Sequence, residues 1–125
     1  MITADQLLCH AVGDYLLQSH WMATEKTKRS LAALAHVVTY ALPFLFLRPS
    51  PLALAVIVGS HFVIDRWRLA RFVVWLKNQP RGGPWKDCTA TGYPSDTPPW
   101  LSVWLLIIAD NIMHVAINGA ALRWL

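Results

Sequence analysis

Three pairs of one histidine and one aspartate, each pair four residues apart, constrain this chain more than any other feature: His10 and Asp14, His61 and Asp65, Asp110 and His114. Each pair lies in a mostly apolar run long enough to form a helix. Residues four apart share one face of a helix, so each pair directs an imidazole and a carboxylate to one place. Because a buried ionisable group costs free energy unless it is paired or bound to a metal, the three pairs predict a site rather than ordinary packing.

The composition is typical of a membrane protein. Of the 125 residues, 55% are hydrophobic and only 14% are charged, whereas charged residues make up about a quarter of soluble chains. A chain of this length forms a single domain, here residues 1–125. Gly13 and Gly59 stand where small residues allow two helices to approach closely.

Apolar runs and the turn residues between them predict four helices over residues 4–23, 31–47, 52–77 and 100–124. Prolines and glycines concentrate in residues 78–99, which are expected to form a long loop. Runs of this length can cross a bilayer. The sequence therefore predicts an all-α fold: a four-helix integral membrane bundle with a long cytoplasmic loop between its third and fourth helices.

The basic residues, which give a net charge of +4, cluster in two regions, Lys26–Arg29 after the first predicted helix and Arg66–Lys86 from the end of the third into the loop that follows. Such connectors lie on the cytoplasmic side of a membrane. This predicts a multi-pass protein of the cell inner membrane with both termini outside. Membrane lipid is then the expected partner, and nucleic acid is not, because the basic residues do not spread over a soluble face.

The His/Asp pairs and one further histidine provide a large set of candidate metal ligands: His10, Asp14, His36, His61, Asp65, Asp110 and His114. Imidazole nitrogen and carboxylate oxygen suit divalent transition metals, zinc first and manganese or iron as alternatives. Seven ligands are too many for one tetrahedral ion. We therefore expect either two ions with a bridging group, or one ion with the other residues around it as outer ligands or a general base.

Further residues have expected roles around this site. The candidate catalytic residues are Asp14, Asp65, Tyr40 and Lys28. Tyr40 lies one turn beyond His36 and is expected to bond the site or a substrate oxygen. The anionic headgroup of a lipid substrate is expected to bind Lys28, Arg29 and Arg66.

The motifs of this chain resemble those of a family of small bacterial and phage inner-membrane proteins of unknown function. The family pattern is H-x-x-G-D-[FY]-x-L-Q, A-H, H-x-x-I-D and D-Q-x-x-H, which residues 10–18, 35–36, 61–65 and 110–114 follow, with Asn111 replacing the glutamine. Lys26, Lys28 and Tyr40 also belong to the resemblance. That family is similar to the predicted membrane-bound, metal-dependent hydrolases, and the resemblance implies a metal site.

The leading functional hypothesis is hydrolysis of a lipid-borne ester or phosphoester by metal-activated water. A different class of function stays open, a metal-ion or proton transport or relay protein, which would need a homo-oligomer because four short helices leave little room for alternating access. A third hypothesis is a phage or host accessory membrane protein with a structural metal. Whether the chain is an enzyme is left open by the sequence.

Overall fold

A computed structural model describes residues 2–125 as a helical chain. The six α-helices are α1 (Ala4–Ala11), α2 (His20–Glu25), α3 (Ser30–Phe44), α4 (Pro51–Trp67), α5 (Ala70–Lys77) and α6 (Pro99–Trp124). A π-helical turn, Val12–Leu16, follows α1, and 3-10 turns, Leu45–Leu47 and Trp85–Asp87, follow α3 and α5. No strand occurs in residues 2–125. The predicted all-α class is confirmed.

The first predicted helix, residues 4–23, is interrupted. After α1 the chain widens into the π-helical turn, in which the Leu17 backbone N–H donates to the Val12 carbonyl at 3.0 Å. Ser19 is extended, and its hydroxyl accepts from the Met22 backbone N–H at 3.3 Å. A serine in this position caps a helix start, so α2 begins as a separate helix.

The third predicted helix, residues 52–77, breaks into α4 and α5 at Arg68. The φ angle of Arg68 is 52°, in the left-handed region that a non-glycine residue seldom adopts. The Arg68 guanidinium donates to the Ala90 carbonyl at 2.7 Å. This long-range bond anchors the Arg68 side chain at the break between the two helices, and sequence periodicity gives no sign of it.

The chain divides into two compact units, Met1–Trp67 with His114–Leu125, and Arg68–Met113. In the first unit, α3 packs against α1, the π-helical turn, α2 and α4. The apolar core of this unit contains Cys9, Tyr40, Phe44, Ala53, Ile57 and Ala121. Helix α3 is therefore the central helix on which the other segments are arranged.

One face of α3 is an apolar stripe exposed at the surface. Its members recur every three or four residues along α3 and into the 3-10 turn that follows, and all are half-exposed or more: Leu31, Leu34, Val38, Leu42 and Leu45. The opposite face buries His36 and Tyr40 completely. A helix of a soluble protein shows the reverse arrangement, with its apolar side inward, whereas a helix in lipid tolerates an apolar outer face.

Two helical segments of residues 2–125, Ser30–Leu47 with 18 residues and Pro99–Trp124 with 26, are long and apolar enough to cross a membrane. Helix α4 has 17 residues, and α1 and α2 have 8 and 6. The predicted four-span bundle is therefore not confirmed: two helices could cross a membrane.

In the second unit, the predicted loop 78–99 folds back onto α5. The Phe72 and Trp85 rings stack with centroids 4.4 Å apart, and the Arg71 guanidinium lies 5.5 Å from the Trp85 ring. Gly92 has a φ of 84°, and a Cβ there would collide with the Arg71 carbonyl. Only glycine fits this close approach, so the long loop is locally packed.

Gly13 and Gly59 provide a matched test of helix packing. A Cβ on Gly13 would lie 2.6 Å from Tyr40 Cδ2, whereas a Cβ on Gly59 would meet nothing within 4 Å. The close contact predicted for Gly13 is confirmed, and the one predicted for Gly59 is wrong. We expect Gly13→Ala to lower the free energy of unfolding by about 1–3 kcal/mol through overpacking. Gly59→Ala should raise it by about 0.5–1 kcal/mol, because alanine favours a helix interior over glycine.

Thermal or denaturant unfolding of the two variants in detergent measures this difference. Equal destabilisation by both substitutions would contradict the packing described for Gly13.

Candidate metal centre

The interior of the first unit brings together most of the ionisable residues singled out in the sequence. These side chains come from α1, the π-helical turn, α3, α4 and α6, and all of them are buried: His10, Asp14, His36, His61, Asp65 and His114. Asp110 lies in α6, one turn before His114, and is partly buried in the second unit. Six of the seven predicted ligands therefore share one interior.

Four of these residues, Asp14, His36, His61 and Asp65, converge most closely, and we call them the tetrad. His36 Nε2 lies 3.0 Å from His61 Nε2 and 3.1 Å from Asp14 Oδ1. Asp65 Oδ2 lies 3.2 Å from the Nε2 atoms of both histidines. The fifth distance, from His61 Nε2 to Asp14 Oδ1, is 3.3 Å.

These distances suit a tetrahedral ion. Metal–ligand bonds of about 2.0–2.1 Å place the ligand atoms of a tetrahedral zinc ion about 3.3–3.4 Å apart. The tetrad distances of 3.0–3.3 Å approach that value, and its donor atoms all lie within 4.8 Å of one another. The predicted metal site is supported to this extent: a buried His/Asp cluster could hold a metal ion.

Local structure explains how the tetrad forms. His61 and Asp65 are one turn apart on α4 and face the same way. Asp14 lies within the π-helical turn, a rare element that is frequent at functional sites. Its neighbour Gly13 lets this turn approach the backbone of Tyr40. Without a side chain at residue 13, the Asp14 carboxylate can reach His36 on α3.

Lys26 is a member of the site that spacing alone did not identify. Its Nζ donates to Asp65 Oδ2 at 2.7 Å and lies 3.3 Å from His36 Nε2. Its side chain is 17% exposed, against 4% for Asp65, so Lys26 lies on the more exposed side of the tetrad. The signal for Lys26 in the sequence was its place in the family resemblance.

The other predicted basic residues lie elsewhere. Lys28 is exposed, and its Nζ lies 3.4 Å from Glu25 Oε1. Arg66 donates to the Thr27 carbonyl at 2.8 Å, so it holds the connector between α2 and α3. Arg29 is exposed at the start of α3. The structure thus places Lys26, and not Lys28, against the tetrad.

Tyr40 links the tetrad to further buried polar groups. Its ring lies 3.8 Å from the His61 ring, measured between centroids. Its hydroxyl lies 2.8 Å from His10 Nδ1 and accepts from Asn118 Nδ2 at 2.7 Å. Tyr40 is therefore bonded to His10, a predicted ligand of the site, while the alternative contact with a substrate oxygen stays a prediction.

The charges of the tetrad favour a cation. With neutral imidazoles the tetrad carries two negative charges, and the Lys26 ammonium offsets one of them. Metal-bound histidines usually donate their second N–H to an acceptor, but among residues 2–125 the Nδ1 atoms of His36 and His61 have no hydrogen-bond partner. The atoms that would bind the ion therefore suit a divalent metal. The site departs from the usual arrangement in that the Nδ1 atoms of the two histidines lack the acceptor that metal-bound histidines normally have.

Neither cysteine belongs to this centre. Cys9 Sγ donates to the Pro43 carbonyl at 3.3 Å, and Cys88 Sγ donates to the Gly82 carbonyl at 3.1 Å. Burial raises the pKa of the Cys88 thiol, and Asp87 and Asp96 raise it further. A thiol of this kind is a poor nucleophile. Because neither cysteine is a member of the tetrad, its ligand atoms are nitrogen and oxygen only.

Lys26 should compete with a metal ion. Its ammonium bonds to Asp65 Oδ2, the atom that an ion in the tetrad would share. We expect Lys26→Met to tighten Zn²⁺ binding at least about tenfold, which corresponds to about 1.4 kcal/mol. The control is Lys28→Met, which removes the same charge from an exposed position and should change the affinity little. A competition titration with a chromogenic chelator measures both, and equal affinities of the two variants would contradict the role given to Lys26.

Comparison with known proteins places the chain in a family. The family model described as "Protein of unknown function (DUF3307)" matches residues 2–118. Searches of curated proteins and of solved structures found no match. The predicted similarity to membrane-bound metal-dependent hydrolases was not found in these comparisons and stays a prediction. The match covers nearly the whole chain, and the protein therefore belongs to the DUF3307 family of proteins of unknown function.

Proposed function

We propose that this protein is a membrane-embedded, metal-dependent hydrolase that cleaves an ester or phosphoester of a membrane lipid with metal-activated water. The observation that carries the proposal is the tetrad. Two carboxylates and two imidazoles converge at 3.0–3.3 Å in the interior of a small helical unit. A purely structural role would not require so many ionisable groups to be desolvated together.

Membrane embedding is supported by the distribution of polar and apolar side chains. The tetrad and Tyr40 are buried, while large apolar residues such as Leu16, Leu31 and Phe46 are 70–89% exposed. Large apolar side chains exposed in this way are unfavourable in water and favourable in lipid. We further propose, from the basic connectors, that the protein lies in the inner membrane with both termini outside.

The chemistry follows from the ligand types. A divalent ion bound by imidazole and carboxylate lowers the pKa of its bound water to about 7 and polarises a phosphoryl or carbonyl oxygen. The chain supplies the dry surroundings that strengthen these effects. Lys26, on the more exposed side of the tetrad, is suited to bind the anionic group of a lipid as it enters.

A catalytic ion also needs a position for water. The four tetrad donors alone fill a tetrahedral ion. The water position then requires either a fifth ligand, which zinc accepts in some catalytic sites, or a second ion. A centre with neither would be structural, which is the accessory-protein hypothesis.

A second candidate function, a proton or metal-ion relay, is favoured by one observation. Hydrogen bonds and ion pairs run from Lys26 through the tetrad to His10, Tyr40 and Asn118. Chains of His and Asp inside membranes also carry protons. In this alternative the Lys26 ammonium takes the place of the metal charge.

Activity measurements distinguish these functions. The purified protein in detergent is expected to hydrolyse a lipid phosphoester or carboxyl ester in mixed micelles, to lose this activity on chelation and to regain it with Zn²⁺ or Mn²⁺. His61→Ala should reduce the rate to background because it removes a tetrad donor.

The matched control is His20→Ala, which removes an exposed histidine of the same unit and should leave the rate unchanged. Hydrolysis that survives both chelation and His61→Ala would contradict the proposal. Metal binding without hydrolysis of either lipid class would favour the accessory or transport functions.

A further inference from the structure

The outer oxygens of the two tetrad carboxylates face a second pair of histidines. Asp14 contributes Oδ1 to the tetrad, and its Oδ2 lies 3.7 Å from His10 Nε2. Asp65 contributes Oδ2, and its Oδ1 lies 3.8 Å from His114 Nε2. The His10 and His114 rings are stacked, with centroids 5.9 Å apart and 24° between their planes. Behind the tetrad thus lies a second set of the same donor types, two imidazoles and one oxygen from each aspartate, which, unlike the tetrad, does not have all its donor atoms within 4.8 Å of one another.

We propose that the centre is dinuclear, with a second divalent ion held by His10, His114 and the outer oxygens of Asp14 and Asp65. The two aspartates are then bridging ligands, each with one oxygen on either ion. The inference deepens the proposed function and rests on it, since it assigns the ions that would carry out that hydrolysis. Carboxylate bridges of this kind are compatible with the separation of about 3.5–4 Å found in two-metal hydrolytic sites.

The second set is the looser one. Its nitrogen–oxygen distances are 3.7 and 3.8 Å, whereas those of the tetrad are 3.1–3.3 Å. The His10 and His114 centroids are also farther apart than the 5.0 Å between His36 and His61. A more open set of donors leaves room for water, so the second ion supplies the coordination position that the filled tetrad lacks.

Tyr40 and Asn118 form an outer layer for this second ion. Asn118 Nδ2 donates to the Tyr40 hydroxyl, and the same oxygen lies 2.8 Å from His10 Nδ1. When Nδ1 carries the proton and donates to Tyr40, the lone pair of His10 is on Nε2, the atom that faces Asp14. Metal-bound histidines are usually oriented by such a bond from their other nitrogen.

Charge then selects the substrate class. Two divalent ions and Lys26 carry more positive charge than the two bridging carboxylates cancel. A negatively charged phosphoester complements this excess, and a neutral carboxyl ester does not. Two-metal sites stabilise both the attacking and the leaving oxygen of a phosphoryl group. The dinuclear centre therefore favours lipid phosphoesters over carboxyl esters.

The test uses Mn²⁺ and the full-length protein in detergent. Equilibrium dialysis followed by elemental analysis should give two Mn²⁺ per chain, and electron paramagnetic resonance should show a spin-coupled pair. These two measurements need no variant. His114→Ala should reduce the metal content to one Mn²⁺ per chain and give the six-line spectrum of an isolated ion. His20→Ala should keep two coupled ions.

The outcomes separate this inference from the function on which it rests. One uncoupled Mn²⁺ per wild-type chain, with metal-dependent hydrolysis intact, overturns the second ion and leaves the proposed function standing. Two coupled ions lost to His10→Ala or His114→Ala, without hydrolysis of any lipid phosphoester or ester, support the dinuclear centre and overturn the hydrolase. A wild-type protein that binds no metal overturns both.

Discussion

The burial of ionisable groups is the constraint on which the rest of this structure depends. The first unit encloses Asp14, Asp65 and four histidines at 7% exposure or less. A buried charge without a partner costs several kcal/mol, so these groups have to be brought close to one another and to a cation. Lys26 supplies one positive charge, and a bound divalent ion would supply what remains. The fold can be understood as the arrangement that makes this convergence possible.

Several local departures from regular helix bring these ionisable side chains together. The π-helical turn interrupts the first helix and carries Asp14 inward. Because Gly13 has no Cβ, this turn can pack closely against Tyr40. With the polar groups inside, the surface of α3 is left to apolar side chains such as Leu31 and Val38. Exposed apolar side chains are favourable in lipid and unfavourable in water, which is why the metal and membrane hypotheses belong together.

Much of the site could be predicted from the sequence, because helical spacing puts His61 and Asp65 on one face whatever the tertiary structure. Lys26 could not be found in this way, since its contact with Asp65 spans 39 residues and depends on how α2 packs. The Arg68 side chain, at the break between α4 and α5, is likewise bonded to Ala90, 22 residues away. Apolar composition predicted helices correctly but not how many could span a membrane, because composition does not show where a helix is interrupted.

X-ray absorption at the zinc edge of the zinc-loaded protein in detergent tests the central claim most directly. The account predicts nitrogen and oxygen donors at about 2.0–2.1 Å, without sulfur. Scattering from imidazole rings should be present and should weaken in His36→Ala. A shell of oxygen alone, as for a surface-bound hydrated ion, or a sulfur donor at about 2.3 Å would contradict it, since neither could arise from an ion held by the tetrad.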